Sequence, residues 1–298
     1  MLFIYNPRAG KAKIRSNLLD IIDIFTKAGF EVTAYPTQAK GDGIAAVKER
    51  RLGFYEIIVC SGGDGTLDEV VTGMMQCERR LPIGYVPAGS TNDFANSLNI
   101  PKNMIDAAHT IVNGKLFGCD VGIFNDDLFV YIAAFGVFTE VSYETRQDVK
   151  NVLGHMAYLL EGVRSLSAIK AYQMKIESNE LTVEGEFLFG MITNSLSVGG
   201  FKRITGKYVE LDDGEFEVTL IKKPQNVVEL NLIMAALINR SINAECMYCF
   251  KTSCLKITSD EEVAWTLDGE YGGRHKEVTI SDQKQALQIM VPENTALR

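Results

Sequence analysis

The stretch Ile57-Ile58-Val59-Cys60-Ser61-Gly62-Gly63-Asp64-Gly65-Thr66 (residues 57–66) decides the fold of this 298-residue chain. Its apolar half belongs to the run Tyr55–Cys60, which is rich in β-branched residues, as is typical of a parallel strand buried on both faces. Three glycines follow within four positions, and apolar residues then recur at helical spacing from Leu67 to Cys77. This order of strand, glycine-rich turn and helix predicts a ligand site at the carboxyl end of a strand in an α/β sheet.

The same order of elements repeats on both sides of this stretch. Strand-like and helix-like segments alternate at Leu2–Tyr5, Leu18–Gly29, Phe30–Tyr35, Gly43–Arg51 and Leu81–Val86. Such alternation favours a parallel sheet with helices on both faces. Residues 1–121 are therefore predicted to form a doubly wound α/β domain.

The pattern changes to mainly β after Gly122. Strands are predicted at Phe129–Ala134, Ala171–Glu177, Glu186–Thr193, Glu215–Lys222, Leu255–Ser259 and Glu277–Ile280, and helices at Val149–Ile169 and Val227–Asn239. Asp-Gly pairs at 213–214 and 268–269 suit tight turns between antiparallel strands. We predict a mostly antiparallel β domain over residues 122–282. The last strand, Leu287–Val291, fits either domain by its pattern, and we assign residues from about 283 to 298 to the α/β domain.

Composition excludes several classes of protein. The chain is 46% apolar, but no apolar run approaches the ~18 residues of a membrane span. The net charge of −8, with only a small basic cluster at Arg8, Lys11, Lys13 and Arg15, argues against a nucleic-acid partner. A membrane surface stays open, because a local patch can act against the global charge.

Cysteine usage and the first residues suggest a reducing compartment. The six cysteines have no framework spacing, and no basic segment with a following apolar run marks a signal peptide. Cys246-x-x-Cys249 has no second ligand pair, so packed free thiols are expected there instead of a zinc site. We therefore expect a cytoplasmic protein.

The glycine-rich turn predicts phosphate binding. Gly62, Gly63 and Gly65 allow a close approach to the backbone, and the following helix N-terminus offers N–H donors. A capping box formed by Thr66 and Glu69 is the alternative interpretation, and both can hold together. The turn has no lysine, and the Asp64 carboxylate tolerates phosphate only with a cation between them. A magnesium nucleotide is thus the natural ligand, which points to phosphoryl transfer.

Two further turns repeat this logic. Pro87–Phe94 follows the strand at Leu81–Val86, and Asn6–Gly10 follows the first strand. A helix cap with Ser90 or Thr91 as the N-cap residue is the alternative for the first of them. Because parallel strands end at a common edge, we expect these turns and residues 61–66 to lie together.

Acidic residues complete the candidate chemistry. Asp120 lies in a short apolar stretch, Glu270 follows the Asp268-Gly269 pair, and Asp213 precedes another predicted strand. Glu270 could serve as a general base for an attacking hydroxyl, and Asp213 could hold a metal ion. Plain hairpin turns are the alternative for both Asp-Gly sites.

These motifs, taken in order, are identified as those of a known family. Asn6-Pro7-x-Ala9-Gly10, Gly62-Gly63-Asp64-Gly65-Thr66, Gly89-Ser90-x-Asn92-Asp93 and Leu267-Asp268-Gly269-Glu270 resemble the diacylglycerol kinase catalytic-domain family. With Val141–Thr145 and Leu211–Gly214 the chain looks most like the soluble bacterial diacylglycerol kinases, from Tyr5 to Tyr271. The resemblance implies an ATP-dependent lipid kinase with an NAD kinase-like nucleotide domain and a β-sandwich domain, active in the cleft between them.

The resemblance also implies roles for residues. The nucleotide would be lined by Asn6, Pro7, Arg8, Ala9, Gly10, Thr37, Gly63, Asp64, Gly65, Thr66, Leu67, Asp68, Glu69 and Ser90. Glu270 would be the base, and Asp64, Asp93, Asp120 and Asp268 would surround the catalytic Mg²⁺. A second, structural Mg²⁺ would be held by Asp213 with the backbone carbonyls of Glu210 and Glu215. Ser90 replaces the usual threonine, and Glu215 replaces the usual aromatic residue.

The resulting prediction is phosphorylation of diacylglycerol to phosphatidic acid, with peripheral association at the inner face of the membrane. A kinase for another lipid alcohol (phosphatidylglycerol, a glycolipid or a sphingoid base) is the nearest alternative, ahead of NAD kinase. A nucleotide- or lipid-binding regulator is the alternative from another class. A homodimer paired through the β domain is compatible with the sequence.

Overall fold

The computed structural model describes residues 1–10, 12–50, 52–90, 92–136, 170–195, 197–198, 201–202, 209–239 and 245–295. Several predicted features lie outside the described residues: the helix at Val149–Ile169, the motif Val141–Thr145, and Lys11, Arg51 and Thr91. The chain divides into two compact units. The α/β unit comprises Met1–Val121 with Lys284–Arg298, and the β unit comprises Gly122–Gln283.

The α/β unit alternates strands with helices. In chain order its elements are β1 (Leu2–Tyr5), α1 (Ile14–Lys27), β2 (Thr33–Pro36), α2 (Asp42–Lys48), a 3₁₀ turn (Leu52–Phe54), β3 (Ile58–Gly62), α3 (Asp64–Met75), β4 (Ile83–Pro87), α4 (Asp93–Ser97), α5 (Met104–Asn113) and β5 (Lys115–Phe124). Helices α1 and α3 begin earlier than predicted. Their first turns are mainly polar or small, so these turns carry no apolar periodicity.

The sheet of the α/β unit is parallel, in the order β2–β1–β3–β4. Its last strand pairs through Ile289, which lies beside Ile83. The connection from β1 to β2 runs in one direction along the sheet, and the connections that lead to β3 and β4 run in the other. Right-handed crossovers therefore place α1 on one face and α2 and α3 on the other. Helix α5 packs against α1, and α2 packs against α3, as a doubly wound sheet requires.

Burial explains these elements. All of β3 is buried, and so are Leu2, Phe3 and Ile4 of β1. Helix α1 turns Ile14, Ile21 and Phe25 toward the sheet and keeps its charged residues outside. Gly29 ends it with a φ of +92°, a left-handed conformation that glycine adopts at no steric cost.

The β unit is almost entirely antiparallel strand. Its elements are the end of β5, then β6 (Asp127–Phe129), β7 (Ile132–Gly136), β8 (Tyr172–Ser178), β9 (Thr182–Thr193), β10 (Ser197–Val198), β11 (Phe201–Lys202), β12 (Phe216–Lys222), α6 (Val227–Asn239), β13 (Met247–Thr252), β14 (Cys254–Leu267) and β15 (Glu270–Val291). Strand β15 starts in this unit, and its last residues belong to the α/β unit.

The main sheet of the β unit runs β13–β12–β9–β7–β14–β15. Strands β9 and β14 each pair with β8 along one part of their length and with β7 along another. The sheet thus bends around one core, which includes Phe129, Phe135, Phe187, Phe216 and Trp265. Among the described residues, no helix is long and apolar enough to cross a bilayer.

Candidate active site

Three turns meet at the carboxyl edge of the parallel sheet. We name them the glycine turns: residues 6–10 after β1, 62–66 after β3 and 87–93 after β4. Tyr5 lies in register with Ser61, and Gly62 with Pro87, so the three strands end at one level. The prediction that these turns lie together is met within the α/β unit.

Backbone hydrogen bonds tie the glycine turns to each other. The Asn6 N–H donates to the Ser61 carbonyl at 2.8 Å, and the Ala88 N–H donates to the Gly62 carbonyl at 2.7 Å. The Asn6 side-chain amide lies 3.4 Å from the Thr66 hydroxyl. Main-chain atoms, which a side-chain substitution cannot remove, therefore define most of this edge.

Close packing explains the glycines better than ligand contact alone. A Cβ on Gly10, whose φ is +55°, would lie 2.2 Å from the Ala88 carbonyl oxygen, and one on Gly89 would lie 2.7 Å from the Gly63 Cα. A Cβ on Gly62 would collide with Thr66 at 2.4 Å. Gly62 is buried, so its role is strand–helix packing, whereas Gly65 is exposed and accessible.

The N-terminus of α3 points its first backbone N–H groups out of the helix. The helix starts at Asp64, with Gly63 as its N-cap residue and no side-chain cap. Thr66 and Leu67 donate to the Gly63 carbonyl, whereas the N–H groups before them have no acceptor within the helix. Such a terminus suits an anionic ligand, because the uncapped donors and the helix dipole act together.

The capping box that was the alternative interpretation of Thr66 and Glu69 is not formed, because Thr66 is the third residue of α3 and not its N-cap residue. The Glu69 carboxylate instead accepts the Gly41 N–H at 2.8 Å and the Gly43 N–H at 2.9 Å. These donors belong to the N-terminal end of α2. Glu69 therefore joins α3 to α2.

Asp64 and Asp93 form a carboxylate pair at this edge. Burial, followed by the charge of Asp93, raises the pKa of Asp64 to about 6, although N–H donors from residues 92–94 act against the shift. Asp64 Oδ2 accepts the Asn92 N–H at 3.0 Å, while its buried Oδ1 has no hydrogen-bond partner. Asp93 itself is 3% exposed. An acceptor oxygen left without a donor beside a second carboxylate is the arrangement that a cation stabilises.

Two residues of this edge escaped the sequence prediction of the site. Asn92, in a left-handed conformation with φ +53°, donates its amide to the Gly89 carbonyl at 2.9 Å. The Tyr85 hydroxyl lies 3.1 Å from the Gly62 carbonyl and 3.4 Å from the Asn92 amide oxygen. Burial raises the pKa of Tyr85 well above its usual value. Asn92, not Ser90, is the N-cap residue of α4. The Gly-Ser-x-Asn-Asp motif signals Asn92, but nothing in a buried strand singles out Tyr85.

The remaining residues predicted to line the nucleotide differ in what they can offer. Arg8 and Ser90 are exposed, whereas the side chains of Ala9 and Leu67 are buried and leave only main-chain atoms. Thr37 is buried after β2 and donates its N–H to the Tyr5 carbonyl at 2.9 Å. Pro7 and Asp68 are partly exposed. These residues stay predictions.

Asp120 is fully buried on β5 in the α/β unit. One of its carboxylate oxygens accepts the Gln285 N–H at 2.6 Å. Its carboxylate thus holds the returning C-terminal segment. A contribution of Asp120 to a magnesium site stays a prediction.

Asp268 organises the turn between β14 and β15 of the β unit. Asp268 and Gly269 have φ values of +51° and +84°, so they form the tight turn predicted between β14 and β15. The Asp268 carboxylate accepts N–H groups from Val130 at 2.6 Å, Tyr131 at 3.0 Å and Ile132 at 2.9 Å. Glu270 follows at the start of β15 with an exposed side chain. The turn therefore fixes the backbone from which Glu270 projects.

Asp213 already has a cation beside it. Asp213 Oδ2 lies 2.6 Å from the Lys251 ammonium, and Oδ1 accepts the Glu215 N–H at 3.0 Å. Glu210 is exposed, and Glu215 is partly exposed. Among the described residues, no three acidic, histidine or cysteine side chains cluster as metal ligands, so the second magnesium stays a prediction.

Glu217 on β12 and Lys251 on β13 lie beside Asp213, and neither of them was predicted from the sequence as part of this site. Burial raises the pKa of Glu217 to about 8 despite the opposing Lys251 ammonium. Burial also acts to lower the pKa of Lys251, but its hydrogen bond to Asp213 and the nearby carboxylate charges outweigh it and raise that pKa. Their proximity follows from strand pairing between β12 and β13, which the sequence does not display.

Sequence relatives identify the family. A model of the diacylglycerol kinase catalytic domain matches residues 1–123. A diacylglycerol kinase of Bacillus subtilis (strain 168) is 34% identical over 271 residues, which cover 91% of this chain and 89% of the relative. One from Staphylococcus carnosus (strain TM300) is 34% identical over 292 residues, covering 98% and 94%.

Solved structures support the same fold. A crystal structure of a putative diacylglycerol kinase from Bacillus anthracis Sterne matches with a TM-score of 0.83 at 24% identity, covering all of this chain and 96% of the other. A second one matches with a TM-score of 0.84 at 22% identity. The fold is thus an α/β unit followed by an antiparallel β unit, as in these proteins.

The fold, the glycine turns and the relatives define a kinase, that is, a transferase of phosphoryl groups. The chain belongs to the diacylglycerol kinase family, and it is a diacylglycerol kinase-like lipid kinase. ATP is the phosphoryl donor that membership of a kinase family implies.

Proposed function

We propose that this lipid kinase transfers the γ-phosphoryl group of ATP to the primary hydroxyl of diacylglycerol, which yields phosphatidic acid and ADP. The observation that carries the proposal is the Asp64–Asp93 pair beside the N-terminus of α3, among three turns built of backbone donors. The names of the relatives support diacylglycerol as the acceptor.

The glycine turns would hold the nucleotide phosphates. The N–H groups at the start of α3 donate to phosphate oxygens, and Gly63, Gly65 and Ser90 leave room for them. Asp64 and Asp93 would hold a magnesium ion, which supplies charge neutralisation of the phosphates when bound. The partnerless Asp64 Oδ1 supports this assignment. Asp120 and Asp268 would act at the same ion through water.

Glu270 would act as the general base. Its carboxylate accepts the proton of the acceptor hydroxyl while that oxygen forms a bond to the γ-phosphorus and the bond to the ADP oxygen breaks. The Asp268 carboxylate accepts three backbone N–H groups, and the turn that it holds would position Glu270. Because the chemistry at phosphorus needs little covalent help, positioning of the hydroxyl is the main task of the protein.

The setting of the reaction is part of the proposal. The acceptor lies in a membrane. A cytoplasmic protein that associates peripherally with the inner face of the membrane fits this reaction. An NAD kinase-like nucleotide domain, a β-sandwich acceptor domain and a homodimer paired through the β unit belong to the same proposal. The second magnesium ion would sit at Asp213 with the carbonyls of Glu210 and Glu215.

Phosphate transfer to a lipid panel tests the proposal. Radiolabelled ATP is offered with diacylglycerol, phosphatidylglycerol, a glycolipid and sphingosine in mixed micelles, with Mg²⁺ and with chelator. We expect Mg²⁺-dependent labelling of diacylglycerol, reduced at least about a hundredfold in Glu270→Gln. Labelling of another lipid instead would show that this lipid is the acceptor and would leave the proposed mechanism unchanged. ATP binding without labelling of any lipid would favour a regulator instead.

A further inference from the structure

The loop at residues 210–215 of the β unit carries an internal cation. The Lys251 ammonium lies 2.6 Å from Asp213 Oδ2 and 3.3 Å from Glu217 Oε1. The side chains of Asp213 and Glu217 are 18% and 6% exposed, so the ammonium joins two carboxylates that are largely withdrawn from water. Charges that are this close and this far from water attract each other more strongly than they would at an exposed surface.

Strand pairing brings Lys251 to this position. Glu217 on β12 lies directly opposite Lys251 on β13, and Thr193 on β9 lies opposite Glu217 on the other side. Phe216 and Val218 point into the core, so alternation places Glu217 on the other face of the sheet. Its Oε2 has no hydrogen-bond partner, although the residue is only 5% exposed. Glu217 thus holds a second acceptor in reserve beside Lys251.

Lys251 and a divalent cation require the same oxygen. Asp213 Oδ1 is engaged by the Glu215 N–H at 3.0 Å, and Oδ2 is engaged by the ammonium. A divalent ion bound at Oδ2 would lie within a few ångströms of Lys251, where like charges repel strongly in a buried site. The Lys251 ammonium shows that the Asp213 carboxylate attracts a cation, and it occupies the position that a divalent ion would take at Oδ2.

We propose that Lys251 is the resident counter-ion of the 210–215 loop, and that a divalent cation binds Asp213 only by displacing Lys251 onto Glu217. The loop is consequently stable without metal, and Glu217 sets how readily the metal enters. This inference rests on the second metal site of the proposed function, but not on catalysis.

Thermal unfolding without nucleotide tests the proposal. The wild type, Lys251→Met and Lys256→Met are compared in EDTA and across a Mg²⁺ titration. Lys256 is the matched control, because it is a β-strand lysine paired with an exposed carboxylate, Glu277, at 2.8 Å. We expect wild type and Lys256→Met to keep their Tm in EDTA. Lys251→Met should lose stability in EDTA, regain it with Mg²⁺, and bind Mg²⁺ at least about tenfold more tightly than wild type.

Two further variants assign the effect. Adding Asp213→Asn to Lys251→Met should abolish the Mg²⁺ response, which separates this loop from the Asp64 site. Glu217→Gln should weaken Mg²⁺ binding at the loop, because glutamine offers the displaced ammonium one acceptor oxygen where glutamate offers two. A Lys251→Met protein that is no more responsive to Mg²⁺ than wild type, or that stays unfolded at every Mg²⁺ concentration, overturns the proposal. Because no readout uses phosphate transfer, a failed kinase assay leaves this test independent.

Discussion

Asp64 in the α/β unit begins helix α3 directly after a strand, and Asp268 in the β unit lies in the turn between two strands. Their carboxylates differ in how completely their oxygens are hydrogen-bonded. Asp268 accepts three backbone N–H groups within 3.0 Å. The Asp64 carboxylate also faces backbone N–H donors, from residues 92–94, but its buried Oδ1 has no partner. A carboxylate with satisfied oxygens stabilises its surroundings, whereas one with an unsatisfied oxygen is destabilising until a ligand arrives. The comparison separates a residue that builds the site from one that awaits a cation.

The largest effect is expected from Asp268→Ala. The substitution leaves the N–H groups of Val130, Tyr131 and Ile132 buried without an acceptor, and each orphaned donor costs free energy. We expect a loss of about 3 kcal/mol or more in the free energy of unfolding, together with loss of turnover. Urea unfolding measures it. Wild-type stability in this variant would show that the three hydrogen bonds do not hold the turn.

Asp64→Asn should have the opposite sign in stability. The pKa of Asp64 is raised from 3.8 to about 6 by burial and by Asp93, so the folded state binds the proton more tightly than the unfolded state. Wild-type stability therefore falls as pH rises from about 4 to about 6, and stays reduced above that range. The variant lacks this loss.

We expect Asp64→Asn to match the wild type near pH 4 and to exceed its stability by about 1–2 kcal/mol at pH 8, with turnover lost. The free energy of unfolding across pH, measured without metal or nucleotide, decides the matter. Equal pH dependence in both proteins would mean that Asp64 is not destabilised in the free enzyme.

Glu69 extends the comparison to a third carboxylate, which resembles Asp268 in being satisfied by backbone donors. Glu69→Ala removes the acceptor of the Gly41 and Gly43 N–H groups. A loss of about 1–2 kcal/mol is expected, as for a helix N-cap. The KM for ATP should change far less than stability does. A large rise in the KM for ATP with an unchanged free energy of unfolding would show that Glu69 acts on the nucleotide, as predicted from the sequence.

Ser90→Thr should give the smallest effect. The side chain is exposed, and threonine retains the hydroxyl. Turnover and KM for ATP are expected to stay within about twofold, because surface substitutions that preserve the polar group are near neutral. Steady-state kinetics with Ser90→Ala as the comparison measures what the hydroxyl itself contributes.

Local sequence patterns predicted those features whose causes are local. The alternation of apolar runs and turns gave the order of β1 to β4, and helix α6 occupies Val227–Asn239 as predicted. The Asp268-Gly269 turn has the expected left-handed φ values. The sequence also predicted that Asp64 and Asp93 belong to the site, because both stand in recognisable motifs.

Features that depend on pairing of distant strands were not visible. Asp268 meets residues 130–132 more than a hundred positions away, and Lys251 meets Glu217 only through the register of β12 and β13. The capping box failed for a different reason. Thr-x-x-Glu is compatible with several helix starts, and the glycine N-cap moved the start of α3 to Asp64. In this chain periodicity identified elements, but register decided which polar groups meet.

The C-terminal segment has a consequence for the order in which the protein can fold. Ile289 supplies the partner of Ile83, Gln285 donates to Asp120, and the Arg80 guanidinium bonds the Ala286 carbonyl at 3.1 Å. The α/β unit is thus assembled from both ends of the chain. During synthesis its first 121 residues leave the ribosome long before residues 284–298, so the unit waits, with one side of β4 unpaired, until the whole β unit has been translated.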